Sequence, residues 1–132
     1  MAFQYAAKFI CGLSKDEGLP VARGRYSTVV NVHNPHKKDD VSFDYKLAVA
    51  GQGDNGNISD FKDVSIKPDG AIYFDCKVVR STFDVGDPLL DGFFVIESKR
   101  SSLDVVAVYT TNDFDGNGVP AIDVERVFER EI

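Results

Sequence analysis

Two histidines are the residues most suited to proton transfer in this chain, and both follow the same strand-like run. His33 and His36 lie three residues apart, and a nucleophilic enzyme would need one of them beside an activated Ser or Cys. No serine stands in a nucleophile-elbow motif. We interpret His33 as the end of a strand and His36 as a solvated loop residue. The sequence therefore predicts no catalytic residue.

Two cysteines, Cys11 and Cys76, each lie inside an apolar run of strand character. They fit either two buried thiols or one bridge. We favour buried thiols, because cysteine is among the residues most often buried and no other feature of the chain is typical of a disulfide-stapled protein.

One run of alternating oxygen donors is typical of the start of a calcium loop. Asp113, Asp115 and Asn117 occupy its first, third and fifth positions, and Gly118 occupies the sixth, where a sharp turn is needed. The twelfth position, where a bidentate Glu is expected, is Val124. The same residues are also those preferred at a hairpin tip. The leading interpretation has no metal and no cofactor, and a calcium-supported loop in a small-ligand or carbohydrate-binding domain is the alternative.

Bulk composition excludes several classes of protein. The chain has 132 residues, 43% of them hydrophobic and 27% charged, which predicts one globular domain over residues 1–132. A formal charge of −6 argues against nucleic acid or an anionic membrane as the main partner. No phosphate-binding glycine loop or paired-cysteine zinc spacing occurs. The first twelve residues lack the pattern of an export signal, and no run is long enough to span a membrane, which slightly favours the cytoplasm and leaves the compartment open.

The elements that must position these residues are strands. Residues 93–96 and 103–109 are almost wholly apolar on both sides of a polar turn, so we predict a central hairpin with both faces covered. Residues 25–32 and 41–50 alternate with period two and predict a second hairpin. The core side of 41–50 is predicted to hold Val41, Phe43, Tyr45, Leu47 and Val49.

The remaining segments complete an all-β chain. Residues 51–59 are rich in glycine and asparagine and predict a mobile surface loop, while one helical turn is allowed near Val79. Residues 121–128 predict a last strand with Ile122 and Val124 inward. About seven to eight strands separated by turns predict a single antiparallel β-sandwich.

Several of these runs together resemble a known group of proteins. They are YAAKFICG at residues 5–12, GRYSTVVNVHNP at 24–35, FDC at 74–76, GFFVIES at 92–98, LDVVAVYT at 103–110 and DVERV at 123–127. As a set they resemble a family of small, functionally uncharacterised prokaryotic β-sandwich proteins. The strand order is more distantly similar to the soluble transducer of a microbial sensory rhodopsin, a homotetrameric β-sandwich. Both resemblances imply assembly and recognition rather than catalysis.

The function predicted from the sequence is therefore that of a non-enzymatic module. Its expected partner is a second copy of itself, in a homo-oligomer or a larger assembly, or another protein. The outer strands, over residues 4–11 and 121–128, are the segments expected to pair between chains, because a sandwich has edges that must be covered or used. The small outward residues Ala48 and Ala50 are a further place for contact.

Overall fold

The computed structural model describes residues 2–15, 20–113, 115, 118 and 120–132. Ten strands and one helix lie among them: β1 (Phe3–Ser14), β2 (Gly24–His33), β3 (Val41–Ala50), β4 (Asn55–Ile58), β5 (Lys62–Ile66), β6 (Ala71–Phe74), α1 (Cys76–Phe83), β7 (Leu89–Ser98), β8 (Asp104–Asn112), β9 (Ala121–Arg126) and β10 (Arg130–Glu131). The all-β prediction is confirmed, with ten strands rather than seven or eight. No helix among these residues is long and apolar enough to cross a membrane.

The strands form two layers joined through β1. In the first layer β7 lies between β3 and β1, and β3 carries β4 and β5 on its other side. In the second layer β2 lies between β6 and β8, and β9 follows β8. All of these pairings are antiparallel. The last three residues of β1 leave the first layer and pair with β2, so hydrogen bonding is continuous from one layer to the other.

The core lies between the two layers. The ring of Phe74 from β6 in the second layer lies 4.8 Å from the ring of Phe94 in the first, and Tyr45 from β3 contacts both. The predicted inward face of β3 is confirmed, since Val41, Phe43 and Leu47 are buried and the other two side chains pack against the core. Burial of this aromatic cluster stabilises the fold, at roughly 25 cal/mol per Å² of apolar surface.

Both predicted hairpins are wrong. β7 pairs with β1 and β3, and β8 pairs with β2 and β9, so the turn between them crosses from one layer to the other. The connection from β2 to β3 crosses as well. The buried Asn34 anchors it, because its amide nitrogen donates to the carbonyls of Asp39, Ile66 and Lys67 at 2.9–3.2 Å. This anchor directs the chain towards β5 instead of back along β2.

Three local predictions also need correction. The loop predicted over residues 51–59 contains β4, which pairs with the end of β3. The single helical turn is an eight-residue helix, α1, capped by the side chain of Asp75. Ile122 and Val124 point outward, because their register with β8 places them opposite Thr110 and Val108 on the outer side of the second layer.

Thr28 completes the β1 ladder where β1 and β2 diverge. Its buried hydroxyl donates to the carbonyl of Ile10 at 2.7 Å and accepts from the amide of Ile10 at 3.0 Å. We expect Thr28→Val, which keeps the shape, to lower the free energy of unfolding by about 2 kcal/mol because it strands two buried polar groups. Urea unfolding measures this. Thr28→Ser keeps the hydroxyl and is the matched control; an equal loss in both variants would contradict the role of the hydroxyl.

Candidate functional site

His33 lies at the end of β2, as predicted, and is held between two carboxylates. Its Nδ1 is 2.8 Å from Asp104 Oδ2 at the start of β8, and its Nε2 is 2.8 Å from Asp69 Oδ1 in the turn between β5 and β6. The hydrogen bond with Asp104, and next the one with Asp69, raises the pKa of His33 above its usual value. With both nitrogens donating, the ring has no free lone pair to act as a general base.

His36 is also fully engaged. Its Nδ1 accepts from the guanidinium of Arg100 at 3.1 Å, and its Nε2 lies 3.3 Å from the carbonyl of Ser101. The same guanidinium pairs with Asp39 at 3.1 Å. The loop after β2 is thus tied to the turn between β7 and β8. The histidine is a structural member of this contact rather than the freely solvated residue that the sequence predicts.

The prediction of two buried thiols is wrong, because Cys11 and Cys76 form a disulfide. Cys11 lies on the inward side of β1 and Cys76 at the start of α1, where the strand partners of β1 and β2 bring them together. Neither sulfur is therefore available as a nucleophile or metal ligand in this state. No free cysteine remains among the described residues, and both cysteines of the chain are in the bridge.

Arg80 braces the same corner of the molecule. One of its terminal nitrogens donates to the carbonyls of Val85 and Asp87, and the other to those of Cys11 and Pro88, at 2.7–3.3 Å. A cleft of about 530 Å³ opens beside this residue. Because the guanidinium is already bonded to four backbone oxygens, it is a brace for the β7 entry and not a ligand group.

The oxygen donors considered for calcium are only partly described. Asp113 and Asp115 lie in the described residues, whereas Asn117 lies outside them. Within the described part of the chain no group of three or more His, Cys, Asp or Glu side chains is arranged to hold a metal ion. The calcium-supported loop stays a prediction.

A second cleft, of about 370 Å³, lies between β1 and the start of β9. Ile10, Val21, Tyr26 and Tyr109 line it. The phenol of Tyr109 donates to the carbonyl of Lys8 at 3.0 Å, and burial raises the pKa of Tyr109 to about 12. The tyrosine hydroxyl is therefore a protonated donor that is already used, and it supplies no acid or base near neutral pH.

The outer side of the second layer carries exposed apolar side chains on β6 and β9. By strand register, the same side of β6, β2, β8 and β9 holds a set of apolar side chains. We call this the valine face, and it consists of Val29, Tyr73, Val106, Val108, Ile122 and Val124. Ile122 is 71% exposed and Val124 is 61% exposed, whereas Val106 and Val108 of β8 are half-buried.

On the outer side of the first layer, two lysines lie over aromatic rings that remain 45% (Phe93) and 42% (Phe61) exposed. The ammonium of Lys8 lies 5.3 Å from the centre of the Phe93 ring, and that of Lys46 lies 4.6 Å from the centre of the Phe61 ring. Val95 lies opposite Lys46 in the β3–β7 register and is buried, although its side chain is on the outer side. Lysine stems that cover apolar surface in this way are typical of a solvated face.

Comparisons of the chain with family models, with curated proteins and with solved structures gave no match. The resemblances inferred from the sequence stay predictions, and the site must be interpreted from its own geometry.

Proposed function

We propose that this protein is a non-enzymatic module that self-associates through its valine face. The observation that carries the proposal is the contrast between the two outer sides. On the first layer the ammonium groups of Lys8 and Lys46 lie over the rings of Phe93 and Phe61, which stay 45% and 42% exposed. On the second layer Ile122 and Val124 are 71% and 61% exposed on one strand. Contiguous exposed apolar patches of this kind mark interaction sites in soluble proteins.

The size of the valine face suits a second copy. The central strand β8 is nine residues long. The strands β6, β2, β8 and β9 have 4, 10, 9 and 6 residues, and at about 4.8 Å between strands and 3.4 Å per residue they give a flat area of roughly 500 Å². A stable protein interface buries about 800 Å² on each partner. A corrugated face of these dimensions, packed against its own copy around a two-fold axis, approaches that area.

Charge also favours a second copy at this face. The chain as a whole carries a formal charge of −6. By register the valine face and its rim hold Arg25, Arg126 and Asp104, and Asp69 bonds His33 at the same rim, so two arginines stand with two carboxylates there. Two acidic chains can therefore approach through this side with little repulsion. This balance of charge supports self-association over binding of a strongly charged partner.

Edge pairing, the mode that the sequence favoured, is less suited to this structure. β1 has β7 along one side, while β10 and β2 pair with its two ends on the other side, and the side chains of Tyr109 and Thr28 bond the backbone of Lys8 and Ile10 between them. β9 is an edge among the described strands, and Asp123 and Glu125 alternate along its inner side. Two copies of β9 in antiparallel register centred on Asp123 or Val124 would bring these carboxylates opposite each other, a repulsion that protects natural sheet edges.

The disulfide favours an oxidising compartment as the place where the protein works. Bridges of this kind form and persist in oxidising compartments and are rare where thiols are kept reduced. We propose that the module works in such a compartment, in place of the cytoplasm that the sequence slightly favoured.

Sedimentation velocity over a range of concentrations tests self-association. We expect the protein to form a dimer or larger oligomer, and Ile122→Lys to shift it to the monomer, because burying one unpaired ammonium in an apolar interface costs several kcal/mol. Lysine also lowers the net negative charge, so a loss of association cannot come from added repulsion between acidic chains.

Ile58→Lys is the matched control for this experiment. Ile58 is 69% exposed on the outer side of the first layer, close to the exposure of Ile122. We expect its replacement to leave association unchanged. Equal dissociation by both variants, or a monomeric parent protein at every concentration, would contradict the proposal.

A further inference from the structure

We propose that the His33 clamp, formed by His33 with Asp69 and Asp104, makes association through the valine face stronger when His33 is protonated. This inference rests on the proposed self-association and names its regulation. The clamp lies on the same side of the second layer, because His33 pairs with Asp104 in the register that also pairs Val29 with Val108.

The geometry of the clamp requires a proton on each ring nitrogen. Both nitrogens lie 2.8 Å from carboxylate oxygens that can only accept. The neutral ring has one N–H, so its other nitrogen would oppose a carboxylate lone pair. Loss of the proton therefore breaks one of the two contacts and raises the negative charge of the clamp by one unit.

The clamp is connected to the valine face through the turn that precedes β6. Asp69 stands in that turn with a positive φ of 56°, and the next strand carries Tyr73, the outermost side chain of the valine face. When His33 is protonated, the turn is tied to the ends of β2 and β8. Release of Asp69 leaves the turn to its backbone bonds with Asn34 and His36, so the entry to β6, which carries Tyr73, is held less firmly.

The direction of the pH effect follows from both contributions. The two charged groups that raise the pKa of His33 are Asp104 from β8 and Asp69 from the turn. The pKa of His33 is raised in the folded chain. The protonated clamp therefore stabilises the folded chain fully below the unfolded pKa of about 6.5, and this stabilisation is lost as the pH rises through the folded pKa. Added negative charge on an acidic chain also opposes association. Both contributions weaken the oligomer at higher pH.

Linkage makes the effect measurable from two sides. If protonation of His33 strengthens association by some factor, association must raise the proton affinity of His33 by the same factor. We expect the association constant to fall about fivefold from pH 6 to pH 8.5, at the low end of typical couplings. NMR titration of the His33 ring at low and high protein concentration should show a higher pKa in the oligomer.

The variants follow from the two histidines of the chain. His33→Gln is expected to remove most of the pH dependence of the association constant, and His36→Gln, the matched control, to keep it. Asp69→Asn should move the pH midpoint downward, a shift that a purely structural residue would not cause. An oligomer whose association constant does not change with pH, or changes equally in His33→Gln, overturns the inference and leaves the proposed self-association intact. A monomer at every pH overturns both.

Discussion

Reduction of the Cys11–Cys76 bridge is expected to lower the free energy of unfolding by about 4 kcal/mol. The two cysteines are 65 residues apart in a sequence of 132, so the bridge closes a loop of about half of the chain. In the chain-entropy description, a loop of this length restricts the unfolded ensemble by about 4 kcal/mol. Urea unfolding with and without a phosphine reductant measures the difference, with mass spectrometry used to confirm that both thiols are free.

The double variant Cys11→Ala/Cys76→Ala is the control for effects of the reductant itself. It should unfold at the same urea concentration in both conditions. A parent protein whose midpoint is unchanged after complete reduction would show that the bridge contributes little to stability, and that contacts of α1 hold this corner without it.

The second large effect is expected at Gly12, where β1 changes its partner. Gly12 has a φ of 114°, and a Cβ placed there would lie 1.9 Å from the carbonyl oxygen of Pro88. Gly12→Ala therefore combines backbone strain of about 1–2 kcal/mol with an overlap against backbone that costs a further 1–3 kcal/mol. We expect a total loss of about 3 kcal/mol in the free energy of unfolding, measured by urea or heat.

Gly53→Ala separates the two contributions. Gly53 also has a positive φ, of 68°, but a Cβ there meets nothing within 4 Å. Its replacement should cost only the backbone strain, about 1 kcal/mol. If the two variants lose the same stability, the close approach of Pro88 is not what requires glycine at position 12.

Strand positions were predictable from the sequence because side-chain alternation is a local property. The strand predicted over residues 41–50 has the observed bounds of β3, and its predicted core side, with Val41, Phe43 and Leu47, is the buried one. The pattern shows which side of a strand is apolar. It does not show which other strand lies beside it.

Strand partners could not be predicted for this reason. Asn34 and Pro35 predict a turn, but a turn is equally compatible with a hairpin and with a connection that crosses between layers. The three carbonyls that bind the Asn34 amide come from Asp39, Ile66 and Lys67, and two of these are more than thirty residues away. Contacts at that distance decide the topology, and no local pattern reveals them.

The disulfide and the valine face are not predictable from the sequence for the same reason, because both depend on which strands lie side by side. Cys11 shares the inward parity of Phe9, and Cys76 shares that of Phe74, so alternation indicated that both point into the core. Only the register of β1 with β2 brings them together. Ile122 and Val124 were expected inward because they are apolar. Their exposure became visible only once β9 was placed at the edge of the second layer.

The most direct test of self-association through the valine face is a methyl NMR measurement with a soluble paramagnetic agent. At a concentration where the protein is oligomeric, we predict that the methyl groups of Val108, Ile122 and Val124 are protected from broadening and that Ile58 is not. On dilution to the monomer, the protection should disappear. If these methyl groups broaden as much as Ile58 in the oligomer, the valine face is not the interface.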